Sequence, residues 1–280
     1  AIPGIMATRS IQDPRDRLAT ILVAPLMTCS ARLPVYALLI GAFVPQRTVA
    51  GLFNLQGLVL FGLYALGIAS AMAVAFIVSR RGAGAQATPL LMELPAYRWP
   101  SARNIARGLW ERALIFIKRV GGIILALMVL LWFLSSYPAP PPGFNGTPVE
   151  ASFAGRLGLF LAPLFAPLGF DWRIVVALIP AMAAREVVVA ALGTVYALSA
   201  GGDAGIEALG GLIGSQWSLA TALSLLVWFV YAPQCVATLA AIRREAGGWR
   251  HSAIVTVYLF ALAWGVSWLT HRLVLAWSGS

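Results

Sequence analysis

Charge is scarce in this sequence: Asp, Glu, Lys and Arg make up 11% of its 280 residues, where a soluble domain carries about 25%. A soluble fold of this length needs more polar cover than that. With 60% hydrophobic residues and a mean hydropathy of +0.84, lipid has to supply the apolar surroundings. Acids are scarcer than bases, and the net charge is +10. The basic residues cluster between long uncharged runs, which fits loops held on the cytoplasmic side and argues against nucleic acid as a partner. The only two cysteines, Cys29 and Cys235, do not make a disulfide scaffold, and a bond between those two is the weakest reading of them. Its two histidines, His251 and His271, flank the last apolar run and read as interface residues. There is no G-x-x-x-x-G-K-[ST] phosphate loop, no H-E-x-x-H, no C-x-x-C and no G-x-S-x-G. Nothing in these residues supports nucleotide hydrolysis or covalent catalysis, so an enzyme is not expected. The opening AIPGIMATRS has neither an initiator Met nor a basic segment followed by an apolar core, and reads as the middle of a longer polypeptide.

What the sequence has is long uncharged runs. A bilayer core of about 30 Å needs roughly 20 apolar residues at 1.5 Å each. Thr48–Ser79 is ample for one tilted helix, Val120–Tyr137 is shorter but strongly apolar, and Ala208–Ile242 and Ser252–Thr270 follow. Ser101–Arg119 places Ile105, Leu109, Ala113 and Phe116 at helical spacing among basic residues, which predicts an interfacial amphipathic helix. Two further runs are interrupted. Leu18–Val44 contains Pro25, Cys29, Arg32 and Pro34; Ile174–Leu198 contains Pro180 and the pair Arg185 and Glu186. Proline removes a backbone donor and breaks the ladder. Such breaks survive at membrane depth only where protein or a water-filled cavity satisfies the freed groups.

Charge sets the orientation. Arg9, Arg15 and Arg17 form one cluster; Arg80, Arg81, Arg98, Arg103, Arg107, Arg112, Lys118 and Arg119 a second; Arg243, Arg244 and Arg250 a third. Those fourteen of the twenty basic residues belong inside. Pro138–Phe170 and Ser199–Gln216 carry few bases and read as outside. Ile174–Leu198, flanked by both, is therefore expected to enter and return as a re-entrant hairpin turning near Ala183–Arg185. The expected organisation is a first gate unit with the following span (1–79), a cytoplasmic loop with an amphipathic helix (80–119), a span plus a periplasmic segment (120–170), and a second gate unit with the last span (171–280). The fold class is all-α: a polytopic helical membrane protein with broken helices and re-entrant hairpins in inverted, nucleoside-transporter-like repeats.

Chemistry is expected at the breaks. In APLMTCSARLP (24–34) Cys29 lies between Pro25 and Pro34, with Met27 before it and Arg32 after it; in YAPQCVATLAAIRRE (231–245) Cys235 follows Pro233. Broken helices expose carbonyls and helix ends to a dehydrated cation, and a thiolate favours transition metals over Mg²⁺ or Ca²⁺. Each cysteine taken alone also reads as a small buried hydrophobe. Glu186 is a pathway candidate because ionisable groups inside a membrane are costly; it and Arg185 read equally as a mutually neutralising pair. Arg32 divides between pairing with a carboxylate and capping freed carbonyls. Glu93, in TPLLMELPAYRWP (88–100), reads as a vestibule ligand or a solvated loop acid.

Taken together, PGIMATRSIQDPRDRLATILVAPLMTCSARLPVYALL (3–39), MELPAYRWP (92–100), WERALIFIKRVGGIILALMVLLWFLSSYP (110–138), AREVVVAALGTVYAL (184–198) and PQCVATLAAIRREAGGWR (233–250) resemble the membrane region of ferrous iron transport protein B. The resemblance implies Fe²⁺ uptake across the bacterial cytoplasmic (inner) membrane, with Fe²⁺ as the transported ion and no permanently bound cofactor. It places the family's proposed pathway cysteines on Cys29 and Cys235 and its gate-region acid on Glu186. It also implies an N-terminal GTPase domain holding GTP and Mg²⁺, small accessory Feo proteins as partners, and a cysteine before the proline matching Pro3; none of these lies within these residues. Self-association into a homo-oligomer stays open. Two other readings stand beside it. A carrier of nucleosides or other solutes should offer polar side chains around the breaks, where this chain has Cys, Met and Pro. A non-conducting membrane anchor for a GTPase domain requires the cysteines and Glu186 to face lipid or each other.

Overall fold

The computed structural model describes residues 2–49, 53–81, 101–139, 148–182, 185, 187–200, 206–233 and 235–278. A short helix, α1 (Ile2–Ala7), comes first. Asp13 caps the next: its carboxylate accepts from the Arg15 amide at 2.7 Å, and Pro14 fills the first turn, where no amide is needed. This helix, α2 (Pro14–Val23), ends in a 3-10 turn over Ala24–Leu26, after which Met27 and Cys29 are extended. A second 3-10 turn, Ser30–Arg32, leads into α3 (Leu33–Phe43). Pro34 lies in the first turn of α3, so it starts the second half-helix instead of stopping the first.

The span expected from Thr48 begins later. Two short strands, β1 (Thr48–Val49) and β2 (Phe53–Asn54), pair antiparallel with Thr48 opposite Asn54, and α4 (Leu55–Arg81) starts after them. The interfacial helix over 101–119 and the span over 120–137 are one continuous element, α5 (Ala102–Ser136). No proline or capping residue separates them, and the Gly121–Gly122 pair weakens a helix without ending it. At 1.5 Å per residue α5 is about 52 Å long, well beyond a bilayer core.

The stretch 138–170, expected as an external connection, contains α6 (Pro148–Ala151) and an apolar helix, α7 (Phe153–Phe165). The chain turns at Gly169, in the left-handed region at φ +79°, and enters α8 (Trp172–Ala181), whose cap Asp171 accepts from the Ile174 amide at 2.9 Å. The two segments meet at 101°. Glycine permits their close approach: a Cβ on Gly158 would lie 2.4 Å from Val176 Cγ2 and 3.0 Å from the Trp172 carbonyl. The Gly158→Leu variant is expected to lose about 1–3 kcal/mol of stability through overpacking. Thermal unfolding in detergent checks this, and an unchanged midpoint would show that α7 does not pack there.

The chain continues through α9 (Val187–Ala200), α10 (Ile206–Gln216), α11 (Leu219–Tyr231, capped by Ser218), α12 (Val236–Glu245) and α13 (Trp249–Ser278). The helices α8 and α9 pack antiparallel. Arg173, at the start of α8, lies over the Tyr196 ring near the end of α9 (5.6 Å) and donates to Gln216 Oε1 at 3.2 Å; Trp217 Nε1 donates to the Tyr196 hydroxyl at 2.6 Å. Both ends of the pair therefore stand at one level, where α10 ends and α11 begins. Phe43, at the end of α3, stacks on Trp217 at the same level. The opposite end of the molecule gathers Arg9, Arg17, Glu245 and the basic turn Arg243–Arg250. The segment expected to be re-entrant is thus an antiparallel pair, α8 and α9, whose two outer ends lie away from the basic clusters.

Among the described residues three segments are long and apolar enough to cross a membrane: Pro14–Phe43, Leu55–Val78 and Trp249–Trp277, with the bent pair Phe153–Leu168 and Trp172–Ala181 a fourth if taken as one. Apolar side chains such as Phe61 (71% exposed) and Phe160 (80%) face outward, as lipid contact requires. The centre is α11, whose Leu225, Leu226, Phe229 and Val230 are buried against α13, α4 and α3.

Candidate functional site

The three interrupted elements meet at one depth. Along α11 and α12, about 20 Å of helix leads from the upper end to the break and about 15 Å from the break to the basic end. Ala232 and Cys235 are extended at that break, and Pro233 denies the ladder a donor. The hairpin tip reaches the same point: the Val236 amide donates to the Met182 carbonyl at 3.2 Å. Arg185, also at the tip and 3% exposed, donates through Nη1 to the Phe229 carbonyl (3.3 Å) and through Nη2 to those of Ala232 (2.6 Å) and Pro233 (2.7 Å). The guanidinium thus satisfies carbonyls that the break in α11 sets free. This cap is a role of Arg185 beyond the pairing with Glu186 read from the sequence, a pairing that lies outside the described residues. Glu186 itself and Glu93 lie outside the described residues.

The first break arrives from the other side. Gly67 of α4 lies against it: a Cβ there would come 2.7 Å from Thr28 Oγ1, 3.7 Å from the Leu26 carbonyl and 3.8 Å from Val230 Cγ1 of α11. One glycine thus brings α4, the α2–α3 break and the last turn of α11 together. Cys29 and Cys235 are both free and half-buried, so no disulfide joins them. Cys235 Sγ lies 3.2 Å from Thr238 Oγ1, one turn along α12. Arg32 is completely buried, and among the described residues nothing accepts from its Nε, Nη1 or Nη2. The Tyr36 hydroxyl, one turn along α3, lies beside the Arg32 guanidinium without completing a well-formed hydrogen bond, and the Thr28 hydroxyl has no partner among the described residues. Arg185 interacts electrostatically with Arg32, Cys29, Cys235 and Tyr36, which places the two thiols and two guanidiniums in one neighbourhood.

Of the residues singled out in the sequence, Cys29, Cys235, Arg32, Arg185, Pro25 and Pro233 converge here. Pro34 stands at the exposed start of α3, and the Met27 side chain is 58% exposed, outside the buried cluster. Among the described residues no three His, Cys, Asp or Glu side chains come together as a metal cage. Tyr36, Thr28, Thr238 and Gly67 were not foreseen. The first and third stand one turn from Arg32 and Cys235, a spacing that helical periodicity makes visible; Thr28 and Gly67 carry no signal in the sequence.

A second cluster closes the basic end. Glu245, at the end of α12, accepts from Arg9 Nε at 3.0 and 2.9 Å, from Arg9 Nη2 at 2.6 Å and from Arg17 Nη2 at 2.9 Å. This ties the segment before α2 to the end of α12, across 236 residues. The hydrogen bonds from Arg9 hold the Glu245 carboxyl below its ordinary value, with the Arg9 and Arg17 charges acting the same way. A carboxyl so depressed contributes stability above its unfolded pKa, and that contribution disappears as pH falls through the folded value. The clasp is therefore expected to hold at neutral pH and open on acidification below the usual glutamate range, while Glu245→Gln opens it at every pH. Hydrogen exchange over residues 5–21 measures this; equal protection in wild type and variant at pH 7 would show that the ion pairs do not hold the segment.

Comparison with known proteins bears on the same elements. Residues 117–249 match the Gate family, described as nucleoside recognition, and residues 60–112 match the family described as ferrous iron transport protein B C terminus. The Fe(2+) transporter FeoB of Leptospira interrogans is 36% identical, aligned to 97% of this chain and 41% of its own length. A fusion of Fe(2+) transport protein A with Fe(2+) transporter FeoB, from Porphyromonas gingivalis, is 36% identical over 97% of this chain and 36% of its own. The Methanocaldococcus jannaschii Fe(2+) transporter FeoB is 36% identical over 95% of this chain and 38% of its own. No solved structure matches the chain. The chain spans about two fifths of the length of these relatives. With the Gate match covering the α8–α9 pair and the α11–α12 break, the other match covering most of α4, and nearly the whole chain aligned, it belongs to the ferrous iron transport protein B family, as part of that family's membrane region.

Proposed function

We propose that these residues form the permeation core for Fe²⁺ uptake across the cytoplasmic (inner) membrane. One observation carries the reading: two cysteine-bearing helix breaks and a re-entrant tip meet at a single level. Backbone carbonyls and helix ends at the breaks, with Cys29 and Cys235, make a ligand set of mixed hardness suited to a divalent transition metal in passage. Binding a metal removes a thiol's proton, and two thiolates then offset the positive charge of Arg32 and Arg185 as the ion arrives. Glu186 and Glu93 supply further carboxylates to the path, and Met27 a thioether at its edge. Fe²⁺ is cargo, and no resident cofactor is assigned.

The proposal extends to a wider assembly. An N-terminal GTPase domain of the same polypeptide, binding GTP and Mg²⁺, regulates the core, and a small Feo accessory protein acts with it; the fused relative supports the second partner. Homo-oligomerisation belongs to the same proposal. Nucleoside carriage is disfavoured by the apolar and sulfur-bearing side chains at both breaks.

The test is uptake of labelled Fe²⁺ into iron-transport-deficient cells that express the full-length protein. The Cys29→Ser, Cys235→Ser double variant is expected to lose at least about tenfold in rate at an unchanged membrane level. Wild-type uptake in that variant would remove the thiols from the path.

A further inference from the structure

A groove of about 900 Å³ runs between α12 and α13, from Val236 beside the second break to the basic end. Its walls are apolar, formed by Val236, Leu239 and Val257, and its mouth carries Arg243, Arg244 and Trp249. Val236 and Val257 are 57% and 67% exposed, so in a membrane this wall faces the acyl region. The Arg243 guanidinium lies 4.2 Å from the Trp249 ring centroid, which fixes it at the level where tryptophan marks the membrane interface. Among the described residues neither Arg243 nor Arg244 has an ion-pair partner. Among the described residues no carboxylate lines the groove, and Glu245 is already engaged by Arg9 and Arg17. Trp249 and Ser252 belong to the first turn of α13, so the positive end of a thirty-residue helix adds to the same field.

From this we infer an anionic-phospholipid site: the phosphate head sits on Arg243, Arg244 and the start of α13, and one acyl chain lies along Leu239, Val236 and Val257. The argument is complementarity at both ends. The distance from Trp249 to Val257 is about 12 Å of helix, enough for the upper methylenes of one chain. Basic pockets between membrane helices on the cytoplasmic side take lipid heads by this charge logic. A zwitterionic lipid fits the wall equally but brings an ammonium to the two arginines. Through α12 the site connects to Cys235 at one end and to the Glu245 clasp at the other, so occupancy holds the element that both share.

Native mass spectrometry of the full-length protein, titrated in neutral detergent with phosphatidylglycerol or phosphatidylcholine, tests the inference. Wild type is expected to retain phosphatidylglycerol roughly tenfold or more over phosphatidylcholine. The Arg243→Gln, Arg244→Gln variant should lose that preference. Ala253→Trp fills the wall with both charges kept, and should lower retention of both lipids. Fe²⁺ uptake above background in each variant establishes that it is folded. Equal retention of phosphatidylglycerol by wild type and both variants overturns the site. So does inorganic phosphate displacing the lipid at equal concentration, which would mark a bare anion site. Efficient cross-linking of two Ala253→Cys copies in native membranes would overturn it too, making the groove an interface between chains.

Discussion

Replacing Arg185 by methionine is expected to abolish Fe²⁺ uptake and to lower the unfolding midpoint of the protein in detergent. The side chain is buried at the hairpin tip and donates to the carbonyls of Phe229, Ala232 and Pro233. Those carbonyls are free because Pro233 and the extended Ala232 end α11 in the interior, where no water replaces the lost partners. Methionine fills the volume and restores none of the bonds. Each buried acceptor left unsatisfied costs about 1–3 kcal/mol, and the three are not additive because they share one donor group, so a loss on the order of 3–5 kcal/mol is expected. Arg185→Lys separates charge from geometry. An ammonium carries the charge but cannot hold three oxygens spread around a planar fork, so it should recover part of the stability and little of the transport. A methionine variant with the wild-type midpoint and wild-type uptake would show that the break in α11 needs no cap, and the site would lose its central tie.

How much of this was legible in the sequence depends on the range of the interaction. Both breaks could be read, because Pro25 and Pro233 act on their own ladders and cysteine stands beside each. The antiparallel return of α8 and α9 could be read from their flanks, since the stretches on both sides are poor in bases and so are expected on one side. The helix α7 was not legible: thirteen residues are about two thirds of a span, and Arg156 within it argues for a loop until Gly158 is seen against Val176. The continuity of α5 was hidden for the opposite reason, as its charge pattern changes at Val120 while its backbone has no cause to stop. Partners were the least legible. Arg185 meets carbonyls 44 to 48 positions away, and backbone acceptors carry no residue code at all. Glu245 reads as one more solvated acid in a basic turn until the fold brings Arg9 to it.

Arg32→Met should behave in the opposite way to Arg185→Met: the protein is expected to become more stable while uptake falls. Arg32 is as deeply buried as Arg185, yet among the described residues only the neutral Tyr36 hydroxyl comes close to it, and no carboxylate or carbonyl accepts from its nitrogens. A guanidinium at membrane depth costs about 2.5–3.5 kcal/mol on insertion scales even where it finds partial solvation. Exchanging a poorly compensated buried charge for a well-packed apolar side chain is commonly neutral or stabilising by about 1–4 kcal/mol. Methionine suits the change because it is unbranched and close in length, so Tyr36 and the first turn of α3 keep their packing. A residue that costs stability where it stands is retained for what it does in another state of the cycle. On the proposed path that is the state in which a divalent ion and two thiolates would occupy the breaks, with Arg32 balancing the sulfur nearest to it. The experiment is one variant with two readouts, unfolding midpoint and Fe²⁺ uptake. A raised midpoint with uptake cut at least about tenfold supports the assignment. A lowered midpoint would mean that Arg32 is satisfied in the resting fold and belongs with Arg185 as a structural cap, and a raised midpoint with full uptake would take it off the ion's path.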